Sequence, residues 1–315
     1  MTTGHLTCAL AVELAPSRRD KTVGFSTVSD LAGSWGFPCT TTIDGTLTSL
    51  RGAIRAARPH FVLVIGWSRI VTAEVLDIPM SIWGGGGRVR NTEGYGCIGM
   101  HPTRLPQGRG QAPIPWTILR QLPDTALTTF FLEDGVDSGA IIRQDDLPVR
   151  CDETAASLFL RFADLHYHAG LVLAHDLAAR RVIGNEQDQS LASVWPRRHP
   201  SDGLIDLTMP AERVVRLVRA QLGPYPRAYL KVAGVCLRLI AGRPRVLHQS
   251  DRPGRVIAVG PGTLTVTVAD GVLDLEVDPR DHDMLNQILA EPSNPLSPDT
   301  SLVVPAPQPA SGLRA

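Results

Sequence analysis

Residues 59–66, PHFVLVIG, form a continuous apolar run closed by a proline and a glycine. A strand wetted on one side would alternate. An unbroken run suits a strand covered on both faces, as in a parallel sheet. That demand for helices on both sides organises the first part of the chain. Residues 6–12 (LTCALAV), 96–100 (GCIGM) and 126–132 (ALTTFFL) read as further strands. Between them, 27–36 reads as a short helix closed by Gly36, and 47–58 shows helical spacing at Leu47, Leu50, Ile54 and Ala57. Residues 72–78 and 113–120 read as short helices, and 153–178 as a long amphipathic one. Strand and helix alternate, so this part is expected to be a three-layer α/β unit, with 60–66, 96–100 and 126–132 as parallel strands of one sheet.

The texture changes near residue 190. WPRRHPSDG is rich in proline and charge, 211–221 is helical, and five short strands follow (AYLKV, VCLRLI, GRVIAVG, GTLTVTVAD and GVLDLEV). Short strands divided by glycine and proline suggest a small barrel or sandwich. The expected organisation is an α/β domain over 1–190, a linker over 191–204, a β-barrel domain over 205–282 and a disordered tail over 291–315. A length of 315 residues suits two domains. The 31 basic and 31 acidic residues cancel, which disfavours a globally basic nucleic-acid binder but leaves a local patch open. Arg213, Arg216, Arg219, Arg227, Lys231, Arg238, Arg243, Arg245, Arg252 and Arg255 supply the material for one, facing tRNA or a nucleotide-sugar phosphate, or simply solvent. The five cysteines contain no CxxC pair, so neither a disulfide framework nor a cysteine zinc site is expected. No basic region precedes the first apolar stretch and no run approaches the ~18 residues of a membrane span, so a cytoplasmic protein with no membrane partner is expected.

Two strand exits carry chemistry. His101 follows the strand 96–100 and enters a loop stiffened by Pro102 and Pro106. Glu133, Asp134 and Asp137 follow the strand 126–132. Open α/β sheets bind ligands at the carboxyl ends of their strands. A carboxylate beside an imidazole can orient it, stabilise its cation and relay a proton. His101 and Asp137 are therefore expected side by side, about 3–6 Å apart.

HPTRLPQGRGQAPIPW followed by DGVDSG resembles the formyltransferase family that uses 10-formyltetrahydrofolate, which includes methionyl-tRNA formyltransferases and amino-sugar N-formyltransferases. PSDGLIDLTMPAERVVRLVRAQLGPYPRAY is similar to the segment that joins the family's catalytic domain to an OB-like C-terminal domain. The resemblance implies a Rossmann-like open parallel sheet followed by a small OB-like β-barrel. It also implies His101 as the catalytic histidine and Asp137 as the catalytic aspartate. Folate contacts are implied for Gly66, Trp67, Ser68, Arg69 and Ile70, for Thr103, Arg104, Leu105 and Pro106, and for Leu132, Glu133, Asp134, Gly135 and Val136. The implied co-substrate is 10-formyltetrahydrofolate, with no metal.

The chain departs from the family pattern in three ways. An asparagine that stabilises the oxyanion precedes the family's histidine by two residues, and Gly99 stands there in this chain. Losing one such donor typically costs about 10²–10³ in turnover. Asn91 and Thr103 are the nearest side-chain substitutes in sequence. The opening strand matches the family's usual second strand, so its first strand and helix have no counterpart, which would leave an exposed sheet position. Residues 80–95, MSIWGGGGRVRNTEGY, look like an insertion forming a surface loop or a lid. His166, His168 and His175 share one helix without an HExxH pattern, which argues for packing and solvent rather than metal. The expected activity is formyl transfer to a primary amine, with a small amine or amino sugar as acceptor. The alternatives are methionyl-tRNA, hydrolysis of formyl-folate and a folate-binding protein without activity.

Overall fold

The computed structural model describes residues 6–84, 95–232, 235–245 and 252–290. Most of the expected 80–95 insertion and the whole 291–315 tail lie outside them. The chain divides into two compact units, one of residues 1–117, 122–151 and 158–197, the other of 118–121, 152–157 and 198–315.

Up to residue 197 the elements are β1 (Ala11–Leu14), α1 (Ser29–Trp35), β2 (Cys39–Thr42), α2 (Arg51–Ala56), β3 (Phe61–Val64), α3 (Ala73–Leu76), α4 (Ile78–Trp83), β4 (Gly96–His101), β5 (Arg109–Gly110), α5 (Pro113–Leu119), β6 (Asp124–Phe131), β7 (Ile141–Pro148), α6 (Ala155–Ala178) and β8 (Val194–Trp195). Helix α1 ends as expected, with Gly36 left-handed at φ 72°. The main sheet has the order β3-β4-β6-β7. Strands β3 and β4 run parallel, with Val64 opposite Gly99. Strand β6 runs antiparallel to β4, with His101 opposite Thr128, which corrects the expectation of three parallel strands. An apolar run records burial on both faces and carries no direction. The connection out of β4 re-enters the sheet at the end it left, so β6 must point back. Strand β7, antiparallel to β6, escaped the sequence reading because Arg143, Asp145 and Asp146 break its apolar pattern. The opening strand lies at 11–14 rather than 6–12.

Successive residues of β4 face opposite ways. Cys97 joins a cluster of Leu47, Ile54, Val75 and Ile78, on which Val12, Val62, Val64, Trp67 and Leu132 also pack. Ile98 joins Leu173 and Leu177 of α6, with Phe61, Met100 and Phe131. Strands β1 and β2 form a separate parallel pair. Val12 of β1 and Val62 of β3 share the first cluster, yet among the described residues β1 pairs with β2 and β3 with β4.

The second unit holds α7 (Ala211–Ala220), β9 (Tyr229–Val232), β10 (Val235–Arg245), β11 (Val256–Gly260), β12 (Thr263–Val268), β13 (Gly271–Val277) and α8 (His282–Ala290). The five expected strands form one antiparallel sheet of order β11-β12-β13-β10-β9. Strand β10 pairs with β9 over Val235–Arg238 and with β13 from Leu239 on, and its register against β13 shifts between Leu239 and Ala241, an irregularity of the kind that bends a strand. Its core packs Leu237, Leu239, Leu264 and Leu273 against Val214 and Val218 of α7 and Leu285 of α8. The arginine-rich surface is partly neutralised, since Arg227 pairs with Asp278, Arg238 with Asp281 and Arg245 with Asp274.

Candidate active site

The site is built around the end of β4. The loop after His101 is bolted to the neighbouring strands. Thr128 of β6 donates its hydroxyl to the Thr103 carbonyl at 2.6 Å, and Gln144 of β7 donates to the Leu105 carbonyl at 2.8 Å. The loop turns at Gly108, and His101 Nε2 lies 2.8 Å from the Gly108 carbonyl. A carbonyl only accepts, so Nε2 carries the hydrogen and Nδ1 is left to face the site. Beyond Gly108, β5 lies parallel to β8. Gly110 has φ +103°, and a Cβ there would stand 2.5 Å from the Trp195 carbonyl oxygen, so the close approach requires glycine.

Asp137 reaches the same place from the other end of the sheet. The Leu132 amide bonds to the Cys97 carbonyl, so the β6–β7 loop starts beside the beginning of β4 and folds back towards its end. There Asp137 Oδ2 lies 3.7 Å from His101 Nδ1 and accepts the Gly110 amide hydrogen at 2.8 Å. His101 is buried, and the Asp137 side chain keeps 21% of its surface accessible. The pair meets at the expected distance by a different route, since the two loops do not leave parallel strands. Asp137 is left-handed at φ 48°, a region that aspartate tolerates better than most residues.

A segment expected partly as linker completes the site. The Arg109 amide donates to the Ser193 carbonyl and the Gly108 amide to the Ser193 hydroxyl. Gln187, buried, accepts from Arg109 Nε at 3.0 Å and donates to the carbonyls of Asp137 and Gly139 at 2.8 and 2.7 Å. No periodicity or motif marks Gln187. Arg109 stands in the RGQAP run, which by itself carries no sign of this contact.

The residues expected to contact folate fall into three loops. Gly66, Trp67, Ser68, Arg69 and Ile70 follow β3, which parallels β4, so they leave the sheet at the His101 end. Ser68, Arg69 and Ile70 are exposed, while Trp67 packs in the cluster with Leu132, its Nε1 buried without a hydrogen-bond partner among the described residues. Thr103 and Leu105 are buried, and Pro106 is half-buried. Arg104 is committed to Asp124 and Asp146, at 2.9 and 2.7 Å, at the outer end of the sheet. Glu133 is half-buried, and Asp134, Gly135 and Val136 are exposed. Leu132 overlies Gly99, where an added Cβ would meet its Cδ2 at 2.8 Å. Thr103 does not replace the missing donor, because its hydroxyl donates to the Gly108 carbonyl; Asn91 lies outside the described residues.

The three helix histidines do not form one group. His166 donates its Nδ1 hydrogen to the Phe162 carbonyl at 2.7 Å, and burial pushes its pKa down. His168 faces Asp164, and His175 faces Asp176. Among the described residues no three His, Cys, Asp or Glu side chains gather to hold a metal ion. No helix among them is long and apolar enough to cross a membrane.

An α/β unit with its sheet-end loops, followed by a curled antiparallel sheet, is the layout of enzymes that transfer formyl groups from folate. The family profile "Formyl transferase" matches residues 44–174 and "Formyl transferase, C-terminal domain" matches 198–285. The methionyl-tRNA formyltransferase of Halorhodospira halophila is 31% identical over 224 residues, 70% of this chain and 67% of that protein. That of Lachnospira eligens is 26% identical over 276 residues, 86% of this chain and 83% of that one. Among solved structures, methionyl-tRNA formyltransferase from Clostridium thermocellum superposes with a TM-score of 0.55 at 20% identity, covering 85% of this chain and 98% of that chain. HypX from Aquifex aeolicus in complex with tetrahydrofolic acid gives a TM-score of 0.57 at 17% identity, over 89% of this chain and 47% of HypX. The chain belongs to the formyltransferase family, whose formyl donor is a formyl-tetrahydrofolate.

Proposed function

We propose that the protein is a cytoplasmic enzyme that moves the formyl group of 10-formyltetrahydrofolate to a primary amine, with His101 and Asp137 as its catalytic pair. The observation that carries this reading is the 3.7 Å approach of His101 Nδ1 to Asp137 Oδ2 at the mouth of the loop cluster. The donor supplies an activated formyl carbon. As the amine nitrogen bonds to that carbon it must lose a proton, and Nδ1, its partner nitrogen fixed on Gly108, presents the lone pair that takes it. Asp137 then stabilises the imidazolium, whose charge also favours the developing oxyanion. The carbon–N10 bond breaks and the proton passes to the departing tetrahydrofolate nitrogen. Folate contacts fall to the loops 66–70, 103–106 and 132–136. Trp67 Nε1, buried without a hydrogen-bond partner among the described residues, fits this role as a donor. With glycine at 99, the protonated His101 is placed to serve as a donor to that oxygen.

For the acceptor, the relatives favour the amino group of methionyl-tRNA, because those with 26–31% identity over 70–86% of this chain are methionyl-tRNA formyltransferases. The small amine or amino sugar expected from the sequence stands beside it as the second acceptor class. The test is product analysis with 10-formyltetrahydrofolate and methionyl-tRNA, beside a panel of amines that includes a nucleotide-linked amino sugar. Formyl-methionyl-tRNA is the expected product. A formylated small amine would redirect the acceptor, and free formate would make the protein a hydrolase. Neither product, together with no folate binding, would end the enzymatic reading.

A further inference from the structure

We propose that Gln187 is a positioning residue that sets the Asp137 carboxylate against His101 through a closed ring of hydrogen bonds; the inference rests on the reading of these two residues as the catalytic pair. At 3.7 Å the imidazole and carboxylate are not joined by a direct hydrogen bond, so their separation is imposed from elsewhere. The structure shows where. Asp137 is held at both ends, its carboxylate by the Gly110 amide at 2.8 Å and its carbonyl by the Gln187 amide at 2.8 Å. Gln187 also donates to the Gly139 carbonyl at 2.7 Å, so one side chain spans the turn that follows the left-handed Asp137. The other end of Gln187 accepts from Arg109 Nε at 3.0 Å, and Arg109 is joined by a peptide bond to Gly110. The path from Arg109 through Gln187 and Asp137 to Gly110 therefore returns to its start.

Each link has one allowed direction. A guanidinium only donates and a carbonyl only accepts, so the Gln187 amide can lie only one way round. Both side chains are nearly sealed, Gln187 at 5% exposure and Arg109 at 7%, where a lost partner is not replaced by water. Arg109 is further seated by the Gln189 side-chain oxygen at 3.1 Å and by its own amide on the Ser193 carbonyl at 2.9 Å. The left-handed backbone of Asp137 is uphill for a residue with a Cβ, and such a conformation persists where its surroundings over-determine it. The ring is that over-determination.

The experiment compares wild type, Gln187→Glu, Gln187→Ala, Asp137→Asn and the combinations with Asp137→Asn. Gln187→Glu is nearly isosteric and keeps an acceptor for Arg109, but it turns an oxygen towards the two carbonyls. One readout is the ¹⁵N imidazole signal of His101 in histidine-labelled protein, assigned by its loss in His101→Asn. The other is steady-state formyl transfer from 10-formyltetrahydrofolate to methionyl-tRNA. Both Gln187 variants should move the His101 signal and lower kcat by about tenfold to a hundredfold, the loss expected for a displacement of about 1 Å. The KM for 10-formyltetrahydrofolate should stay within about threefold. In the Asp137→Asn background neither should lower kcat further, because the group they position is already gone. An unmoved His101 signal, or an equal further loss of kcat in that background, overturns the proposal. If the signal moves while Asp137→Asn transfers formyl at the wild-type rate, the ring stands and the catalytic reading of the pair falls. If Asp137→Asn abolishes transfer while the Gln187 variants match wild type, the pair stands and the ring falls.

Discussion

Around β4, β6 and β7, Ile98 and Phe130 are sealed at 0% and 2% exposure, and Thr128, Gln144 and Gln187 tie the loops to the strands. Around β1, β2 and β3, Leu63 and Ile65 stand 49% and 45% exposed, and among the described residues the two sheets share side chains but no ladder. The same unit thus contains a closed half and an open half. His101 and Asp137, the proposed catalytic pair, rest on the closed half, while the loop 66–70 hangs from the open one. Chemistry that depends on a separation set to a fraction of an ångström needs over-determined neighbours. A loop that offers mostly main-chain groups to a ligand tolerates a looser mount. Local opening should begin on the side with the unpaired strand edges.

Four measurements separate the two halves. The largest effect belongs to the closed half: Asp137→Asn should lower kcat by about 10²–10⁴, with little change in thermal midpoint. A loss of stability instead of turnover would make Asp137 a structural residue. Next is packing. Ile98→Ala should cost about 2–5 kcal/mol in denaturant unfolding, whereas Leu63→Ala should cost no more than about 0.5 kcal/mol. Equal losses would erase the distinction between the halves. Gly99→Asn should lower turnover by about tenfold, because its side chain meets Leu132. Adding Leu132→Ala should recover part of the loss. A tenfold gain for Gly99→Asn would instead mean that Leu132 swings aside and the amide supplies the missing donor. The smallest effect is a silence. Burial raises the Cys97 thiol pKa to about 12, so alkylation at about pH 8 should spare it while exposed Cys8, Cys151 and Cys236 react. Modification of Cys97 at their rate would show that the open half breathes far enough to uncover β4.

The strands at 61–64, 96–101 and 124–131, the helix 155–178, the stop at Gly36 and the five strands of the second unit were all legible in the chain, because each records its own burial or its own turn within a few residues. His101 and Asp137 were legible as chemistry for a similar reason, each standing just past an apolar run in a loop stiffened by proline or glycine. Other features depended on partners distant in sequence. The direction of β6 follows from where its connection re-enters the sheet. Strand β7 hides behind Arg143, Asp145 and Asp146 because an edge strand wets its side chains. Gln187 has no local signature at all, since its meaning lies in bonds to Arg109, Asp137 and Gly139. The order of residues already records which segments are buried, where they stop, and which imidazole and carboxylate stand just past the strands. Only the tertiary structure decided that the two meet, at what distance, and by whose support, because periodicity encodes contact with an apolar surface whereas a hydrogen bond between residues fifty positions apart exists only once the chain has closed on itself.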